Sequence, residues 1–353
     1  MKIKLAILEK DQSYLARIVS VFNAKYTDKF EVYSFTDMDY ALAYLEDAKI
    51  DVFVANDIFD IDVKKIPGRC GFAYLVDSAD IEKENEQKAI FKFQKVGLIY
   101  KQILSVYAEK ATSISGLKLG EDSTRIIVFN SVSGGAGSST IAASAARHFA
   151  ALGKKTLYLN LEKFGSADLF FHAEGQFDMS DIIYALKSRR ANLALKLESC
   201  VKQDYSGVYF YSQSKIALDM LELNMEETMR LVSELKVTGS YDYICIDTDF
   251  AMNQETLKLY RQAHAVVWTA EGTEISNAKI YRAYTALSIM EPNAESPLIN
   301  RLCIVYNKFS SKTGKTITEG NVKIIGGAPM FMQASTEQIL EEISKLPLFD
   351  KLI

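Results

Sequence analysis

The chain has 353 residues, 48% of them apolar and 24% charged, which is the composition of an ordinary globular protein, and its length favours two domains. A formal net charge of -4 provides no general attraction to DNA or acidic lipid. No apolar stretch approaches the length of a membrane span, and the N-terminal MKIKLAILEKDQ lacks the apolar core and cleavage site of a signal peptide. We therefore expect a cytoplasmic protein.

The cysteines indicate neither a disulfide framework nor a zinc site. The chain has 4 cysteines, none in CxxC spacing, and two lie inside the apolar runs YICID and LCIVY. We expect buried thiols in a reducing compartment.

The first third of the chain alternates strand-like runs, beginning with KLAIL, FEVYSF and DVFVAN, with helical patterns. Strand and helix in alternation predict βαβ units and a parallel sheet. A last helical pattern runs from Val96 to Ala111, after which SISGLKLGEDST loses periodicity and gains Gly, Ser and charge. These patterns predict an α/β domain at residues 1–115 and a linker at 116–123.

The second predicted domain, residues 124–353, begins with the strand RIIVFN, the glycine loop SVSGGAGSST and a helix rich in small residues. Further strands are predicted at KTLYLNLE, YDYICIDTD, AVVWTA and RLCIVYNK, separated by helical patterns. The expected fold is therefore α/β throughout, with two doubly wound domains.

The glycine loop is a candidate phosphate-binding site. Bare glycine backbone lets several N–H groups point inward, and the following helix contributes the positive end of its dipole. Gly134, Gly135 and Gly137 have this role here, and Ser139 or Thr140 offers a hydroxyl to Mg²⁺. The candidate nucleotide-binding residues of the loop are Ser133, Gly134, Gly135, Ala136, Gly137, Ser138, Ser139 and Thr140.

The segment SGGAGSST resembles the deviant phosphate loop KGGxGK[ST]T of the ParA/MinD-type ATPases. The resemblance implies a P-loop fold that binds ATP and Mg²⁺. Ser133 and Ser138 stand where that family has its two lysines. One unit-charge pair at about 4 Å amounts to about 4 kcal/mol at an effective dielectric near 20. We expect binding through backbone, helix terminus and metal to survive this loss, and hydrolysis to suffer.

Three further segments resemble the same family. YDYICIDTD ends in Asp247, where the family places a carboxylate that holds a metal-bound water. The resemblance implies Mg²⁺ at Ser139 and Asp247. Asn307, in LCIVYNKF, matches the strand-end asparagine that reads adenine, and Pro329, in GGAPMF, matches the segment that closes over the base.

The segment TLYLNLEKFGSADLFF departs from the family. Asn160 and Glu162 stand where the family uses two aspartates to order Mg²⁺ and the attacking water. Asn160 has no charge and cannot act as a base, so Glu162 and Asp247 remain as weak or vestigial catalytic residues. This pattern predicts slow or absent hydrolysis.

The same segment resembles one branch of the family. Phe164, Gly165 and Asp168, followed by FDMSDIIYAL and GVYFYSQSKIALD, look like the CpaE/TadZ proteins, which are localisation factors of tight-adherence (Flp) pilus assembly with an N-terminal receiver-like domain. The resemblance implies a homodimer that binds pilus-assembly or polar-localisation proteins. It also implies a position at a pole or at the inner face of the membrane, reached through partners.

The N-terminal domain resembles a receiver that has lost its phosphoacceptor. In a receiver, an acidic pair after the first strand holds Mg²⁺, and an aspartate that ends the third strand is phosphorylated. Glu9 and Asp11 match the acidic pair, but Asn56 occupies the phosphoacceptor position and Asp57 follows it. Ser78 matches the receiver hydroxyl, and either Lys92 or Lys95 matches the receiver lysine. We favour a pseudo-receiver that docks partners or dimerises over an active phosphorelay domain.

Two other functions remain open, an active ATPase and a DNA-partitioning protein. An active ATPase would need a borrowed lysine, for which Lys163 and Lys154 are candidates. A DNA-partitioning protein would use basic residues such as Arg189 and Arg190, although we expect no specific nucleic acid. A C-terminal membrane helix is disfavoured because QILEEISKLPLFDKLI is acidic and interrupted by Pro347, so we expect this segment to pack in the core.

Overall fold

The computed structural model describes residues 2–111, 124–188, 192–291, 297–310 and 312–353. The described residues form two compact units. The first contains the N-terminal residues up to 111 together with those of 184–200, and the second contains the rest. The linker predicted at 116–123 lies outside the described residues.

A mixed sheet organises the first unit. Among the described residues it has six strands in the order β2-β1-β3-β4-β6-β5, and all neighbouring strands are parallel except β5 and β6. The strands are β1 (Ile3–Leu8), β2 (Phe30–Phe35), β3 (Val52–Asn56), β4 (Gly71–Val76), β5 (Lys83–Glu84) and β6 (Gln87–Phe91). From β1, the strand order continues to β2 on one side and to β3 on the other. The carboxyl ends of β1 and β3 therefore border a crevice, the usual place for a ligand in such folds.

Three helices cover this sheet and form its two apolar cores. They are α1 (Gln12–Lys25), α2 (Met38–Asp47) and α3 (Val96–Lys110), and a short 3₁₀ turn lies at Val63–Lys65. Asp11 and Asp37 cap α1 and α2 through their carboxylates, which satisfies N–H groups that have no partner within the helix.

The sequence places residues 184–200 in the second domain, yet they pack in the first unit. They contain the end of α6 (Met179–Ser188) and all of α7 (Leu193–Cys200). Glu198 of α7 accepts hydrogen bonds at 2.8 Å from both Lys29 Nζ and the Tyr100 hydroxyl. The periodicity of α7 predicts a helix but does not specify in which unit the helix packs.

The second unit contains the larger sheet. Among the described residues it has eight strands in the order β14-β13-β12-β7-β11-β8-β10-β9, parallel except for β9 against β10. The strands are β7 (Arg125–Asn130), β8 (Thr156–Asn160), β9 (Lys202–Gln203), β10 (Tyr209–Phe210), β11 (Tyr243–Asp247), β12 (Ala265–Ala270), β13 (Leu302–Phe309) and β14 (Lys323–Pro329). The central strands β7, β8 and β11 are almost wholly buried, as expected for a parallel sheet covered on both faces.

The remaining helices flank this sheet. They are α4 (Ser138–Ala151), α5 (Ala167–Phe170), α8 (Ala217–Glu222), α9 (Met225–Val237), α10 (Gln254–Gln262), α11 (Glu274–Met290) and α12 (Thr336–Ser344), with 3₁₀ turns at Leu298–Arg301 and Pro347–Leu352. Small residues on α4, from Ala142 to Ala146, let this helix pack closely on the sheet.

The structure confirms the predicted fold class, with two doubly wound α/β units. The C-terminal segment packs in the core as expected, because Leu340, Ile343 and Phe349 are buried in the main apolar cluster. All four cysteines are buried and free. None of the helices in the described parts of the chain is long and apolar enough to cross a membrane.

Replacing Gly71 with Ala should destabilise the first unit by about 1–3 kcal/mol, the usual cost of overpacking. A Cβ atom there would lie 2.8 Å from Val106 Cγ1 and 3.0 Å from the Val106 carbonyl oxygen. Hydrogen exchange of the β4 amides in urea would measure the change. Gly68→Ala is the matched control, because a Cβ atom added at Gly68 would have no neighbour within 4 Å. Equal effects of the two substitutions would contradict this packing argument.

Candidate functional site

The loop between β7 and α4 has a backbone that requires glycine. Gly135 and Gly137 have φ angles of 79° and 83°, in the left-handed region that glycine adopts without strain. A Cβ on Gly137 would also lie 2.4 Å from Asn307 Nδ2, so this glycine is pressed against β13. At Gly134 and Gly135 nothing lies within 4 Å of the Cβ position, and the outer surface of the loop is open.

The helix that follows the loop begins without a side-chain cap. Gly137 is the N-cap of α4, so no side chain satisfies the free N–H groups of the first turn. Beside them, the Ser133 and Ser138 hydroxyl oxygens are buried and have no hydrogen-bond partner among the described residues. Thr140 lies in the same first turn, and Ala136 is fully buried. Unpaired donors at a helix N-terminus are the groups that bind phosphate oxygens.

Carboxylates lie beside this loop at the ends of two neighbouring strands. Asp247 ends β11, and its Oδ2 accepts hydrogen bonds from the Tyr158 hydroxyl at 2.7 Å and from Asn160 Nδ2 at 3.1 Å. Asn160 Nδ2 also lies 3.1 Å from Glu162 Oε2. The Ser139 hydroxyl donates to Glu162 Oε1 at 3.2 Å. The structure thus brings together the four residues that the sequence associates with Mg²⁺ and water.

Asp247 lies in an environment that disfavours its charge. It is 0% exposed, and burial raises its pKa well above the ordinary value, with the charge of Glu162 raising the pKa further. Its Oδ1 has no hydrogen-bond partner among the described residues. A buried carboxylate with one unpaired oxygen next to a serine hydroxyl suits Mg²⁺, which prefers oxygen ligands and keeps several waters. Nowhere in the described residues do three or more His, Cys, Asp or Glu side chains form a cluster able to hold a metal.

Gly165 has a physical role at this site. A Cβ atom there would lie 2.1 Å from Asn160 Oδ1, so the chain can pass over Asn160 only with glycine at this position. The Asn160 Oδ1 atom accepts a hydrogen bond from the Glu162 backbone N–H at 3.1 Å. The amide of Asn160 is therefore fixed on both of its sides.

Of Asn307 and Pro329, the two residues predicted to contact the base, only Asn307 is shown to contact the loop. Asn307 is buried, and its Nδ2 donates to the Ala136 carbonyl at 2.9 Å. This bond fastens the loop to β13, a role that the sequence did not suggest. Pro329 is exposed at the end of β14, opposite Phe309 in the register. Adenine recognition by these two residues stays a prediction.

The sequence reasoning missed one lysine at this site. Lys308 directly follows Asn307, and its Nζ donates to the Gly135 carbonyl at 2.7 Å. The Lys308 ammonium also lies 3.7 Å from Glu271 Oε1. The local signal was a lysine next to a strand-end asparagine, but nothing in the sequence pattern connects that lysine to a loop 173 positions away.

The two lysines considered as substitutes lie elsewhere. Lys163 Nζ donates to the backbone carbonyls of Met220 at 2.8 Å and Leu223 at 2.9 Å, around the end of α8. Lys154 follows the C-terminal end of α4, a helix of 14 residues whose other end adjoins the loop, about 20 Å away at 1.5 Å per residue. The described geometry offers neither ammonium to the loop. Arg189 and Arg190 lie outside the described residues.

The first unit has its own polar site at the carboxyl ends of β1, β3 and β6. Glu9 is buried, and both of its carboxylate oxygens accept from Asn56 Nδ2, at 3.0 and 2.9 Å. Lys92 Nζ lies 3.0 Å from Glu9 Oε2 and 2.9 Å from Asp77 Oδ1. Burial lowers the pKa of the Lys92 ammonium, but its hydrogen bonds to Asp77 and Glu9 and their charges together raise the pKa above its ordinary value. Of the two lysines that the sequence left open, Lys92 contacts the acid.

Asp11 joins this network only through its backbone N–H, which donates to Glu9 Oε1 at 3.0 Å, while its carboxylate caps α1. Asp11 accepts from the N–H groups of Ser13 at 2.8 Å and Tyr14 at 3.0 Å, and these bonds, the one from Tyr14 above all, lower its pKa. Asp57 is exposed beyond the end of β3. In a working receiver, the carboxylate at the position of Glu9 would face a metal ion and a phosphorylated aspartate. Here the Glu9 carboxylate contacts the Asn56 amide and the Lys92 ammonium instead.

Comparisons with known proteins agree with both halves of this description. Residues 1–108 match the family described as TadZ-like, receiver domain. A ParA family ATPase from Chlorobium tepidum TLS is 18% identical over 65% of this chain and 96% of that chain, with a TM-score of 0.51. A chain of the MinC:MinD cell division protein complex of Aquifex aeolicus is 19% identical over 65% of this chain and 95% of its own, with a TM-score of 0.50. Curated protein sequences gave no significant match.

At these identities the structural likeness establishes the fold alone. Residues 1–108 thus match a TadZ-like receiver domain, and the chain also contains the fold of ParA/MinD ATPases.

Replacing Lys92 with Met should destabilise the first unit by about 3–5 kcal/mol, because it leaves the buried Glu9 carboxylate without its cation. Adding Glu9→Gln should recover much of this loss, since a neutral amide needs no counter-charge. Hydrogen exchange of the β1 amides in urea would measure both effects.

Lys88→Met is the matched control for Lys92→Met. Lys88 pairs with Glu109 on the surface, where each side chain is about two-fifths exposed, so we expect less than about 1 kcal/mol. Similar small effects of the two lysine substitutions would show that the Glu9 network does not stabilise the unit.

Proposed function

We propose that this chain, in which a TadZ-like receiver domain accompanies a ParA/MinD ATPase fold, is an ATP-binding localisation factor for a tight-adherence (Flp) pilus system. In this proposal Mg²⁺-ATP stabilises a homodimer that serves as a scaffold, and hydrolysis is weak or absent. The partners are pilus-assembly or polar-localisation proteins.

One observation carries the nucleotide part of this proposal. The loop before α4 combines two left-handed glycines, an uncapped helix N-terminus and two buried serine hydroxyls without partners among the described residues. A merely structural turn has no reason to leave buried polar groups unpaired, because each unpaired group costs about 1–3 kcal/mol. Phosphate oxygens would satisfy all of these donors at once.

The residues present also fit a magnesium ion next to that phosphate. The Ser139 hydroxyl and the free Oδ1 of Asp247 would hold the ion and its waters, and Glu162 lies within hydrogen-bond distance of Ser139. When bound, the ion would neutralise phosphate charge and orient the terminal phosphate. It would also favour the charged form of Asp247, which burial otherwise disfavours.

The same residues support slow turnover. Asn160 occupies an acidic position of the family, and its amide N–H groups donate to both Asp247 and Glu162. A carboxylate that accepts such bonds is a weaker base toward water. Neither Ser133 nor Ser138 brings a cation to the charge that develops during phosphoryl transfer. Nucleotide binding therefore retains its main contributions, from the backbone N–H groups, the helix terminus and the metal ligands. The chemical step loses two contributions, a strong base and a cation beside the transferred phosphate.

The receiver-like unit suits docking better than phosphorelay. Its Glu9 carboxylate is already paired with Asn56 and Lys92, so metal binding would have to break a buried ion pair. For the second unit, the Aquifex aeolicus neighbour was solved as a complex of MinD with MinC, an example of the ParA/MinD fold binding a protein partner. We propose that the corresponding partner here belongs to the pilus machinery.

Calorimetric titration with Mg²⁺-ATP tests the nucleotide site, and Asp247→Asn tests its metal dependence. We expect saturable binding by the wild type, at least about tenfold weaker in Asp247→Asn, because a neutral amide gives up the charge interaction with the ion. Omitting Mg²⁺ should remove most of the difference between the two proteins.

Asp242→Asn is the matched control, since Asp242 is exposed at the opposite end of the same strand. Sedimentation with and without Mg²⁺-ATP would report the dimer. An absence of binding at millimolar ATP would refute the nucleotide part of the proposal, and unchanged affinity and oligomeric state in Asp247→Asn would refute the role of Asp247.

An active ATPase, which would need a catalytic lysine from outside the loop, is the second candidate function. The contacts of Lys163 argue against Lys163 as that lysine. Burial lowers the pKa of the Lys163 ammonium, which donates to two carbonyls at the end of α8. Lys163→Ala should lower stability by about 1–3 kcal/mol by leaving these carbonyls unpaired. ATP affinity and phosphate release should not change.

Lys154→Ala, a substitution at an exposed position, should change neither ATP affinity nor phosphate release. Multiple-turnover phosphate release by the wild type, abolished in Lys163→Ala without a drop in melting temperature, would favour the active ATPase instead.

A further inference from the structure

Lys308 is placed on the phosphate loop by the irregular end of β13. The pairing of β13 with β14 shifts register between Tyr306 and Phe309, and Lys308 has a φ angle of 52°. Left-handed backbone is uncommon for a residue with a side chain. Strained positions and strand bulges occur often at functional sites, where they re-aim a side chain.

Neighbouring glycines hold this irregular segment in place. A Cβ on Gly272 would lie 2.7 Å from Phe309 Cε2, and a Cβ on Gly314 would lie 2.8 Å from the same atom. The Phe309 ring therefore fills a slot that only glycines leave open. Since Asn307 is fixed to the Ala136 carbonyl, Lys308 is held between two anchored residues.

The Lys308 ammonium contacts the loop, whose segment SGGAGSST contains no lysine. It donates to the Gly135 carbonyl at 2.7 Å, and its side chain is 42% exposed. Glu271 Oε1, at 3.7 Å, is beyond a good hydrogen-bond distance. An ammonium has three N–H donors, so Lys308 can keep its bond to Gly135 and still donate to a ligand oxygen.

We infer that Lys308 supplies the phosphate-binding cation that the loop segment SGGAGSST lacks, contacting the phosphates of a nucleoside triphosphate bound in the same subunit. The inference rests on the proposed nucleotide function. A lysine suits this role, because its compact charge and flexible stem can follow a phosphate group. Its position on β13 rather than in the loop gives the site a charge without altering the loop backbone.

A purely structural latch is the competing explanation for the same contact. A latch would hold the loop whether or not nucleotide is present. Its loss would therefore lower the stability of the protein and weaken the binding of all nucleotides to the same extent. A phosphate-binding cation would act in proportion to ligand charge, and its contribution would fall with added salt. The two roles therefore differ in measurable ways.

The test is the affinity of Lys308→Asn for Mg²⁺-ATP and Mg²⁺-ADP, by calorimetry at two salt concentrations. Asparagine is neutral and tolerates left-handed backbone, so the variant should fold. We expect ATP binding to weaken by about 10- to 100-fold, the usual effect of losing a hydrogen bond to a charged group. The loss should be smaller for ADP, which carries less negative charge, and Lys308→Arg should retain most of the affinity.

Two further variants make the result specific. Lys312→Asn removes the same charge from an exposed position four residues away and should change ATP affinity less than about twofold. Ser138→Lys, added to Lys308→Asn, should restore ATP affinity at least about tenfold, because it provides a cation within the loop. In the wild type, Ser138→Lys should increase ATP affinity by a smaller factor, since the contributions of two cations that act on the same phosphates are not additive.

The outcomes separate this inference from the function on which it rests. If the wild type does not bind ATP, the proposed function and this inference both fail. If the wild type binds ATP and Lys308→Asn binds equally well, the inference fails and the proposed function stands. If Lys308→Asn weakens ATP binding and ADP binding equally, lowers the melting temperature and is not rescued by Ser138→Lys, Lys308 is a structural latch and the inference is overturned.

Discussion

The second unit depends on the contact between the phosphate loop and the end of β13. Gly137 has a left-handed backbone and leaves no room for a side chain against Asn307, whose amide in turn holds the Ala136 carbonyl. This contact joins segments about 170 residues apart in sequence. It holds the loop at the first turn of α4, whose free N–H groups are the donors on which the proposed phosphate site depends.

Both units have an asparagine where the motif resemblance implies an acid, and in each unit the asparagine amide donates to a buried carboxylate. Asn56 donates to the Glu9 carboxylate, and Asn160 donates to Asp247 and Glu162. An amide at such a position satisfies a buried acid without a metal ion, whereas a second acid would repel it. In the first unit Lys92 completes the pairing, and in the second Asp247 keeps one oxygen available. This difference is the structural reason to assign ligand binding to the second unit and docking to the first.

The sequence predicted those features that depend on neighbouring residues. Apolar runs such as YICID predict buried parallel strands, and the order of strand, glycine loop and helix places the loop correctly between β7 and α4. It could not predict contacts made across the fold. The Lys92 pair with Glu9, the packing of α7 in the first unit and the bond from Lys308 to Gly135 join residues that no periodicity relates. Predicting Lys308 would have required the register shift in β13, which arises from packing of Phe309 against Gly272 and Gly314.

Binding and hydrolysis can separate in such a site because they depend on different groups. In the proposed site, backbone N–H groups and the dipole of α4 would act on bound phosphates in the ground state, and serine in place of a loop lysine does not remove these groups. Turnover needs additional stabilisation of charge that develops only in the transition state, together with a base whose lone pairs are free. Asn160 occupies lone pairs of Glu162 and Asp247. Under the proposed function, nucleotide would therefore be a stable part of the assembled form, and its release would be governed by dissociation rather than by hydrolysis.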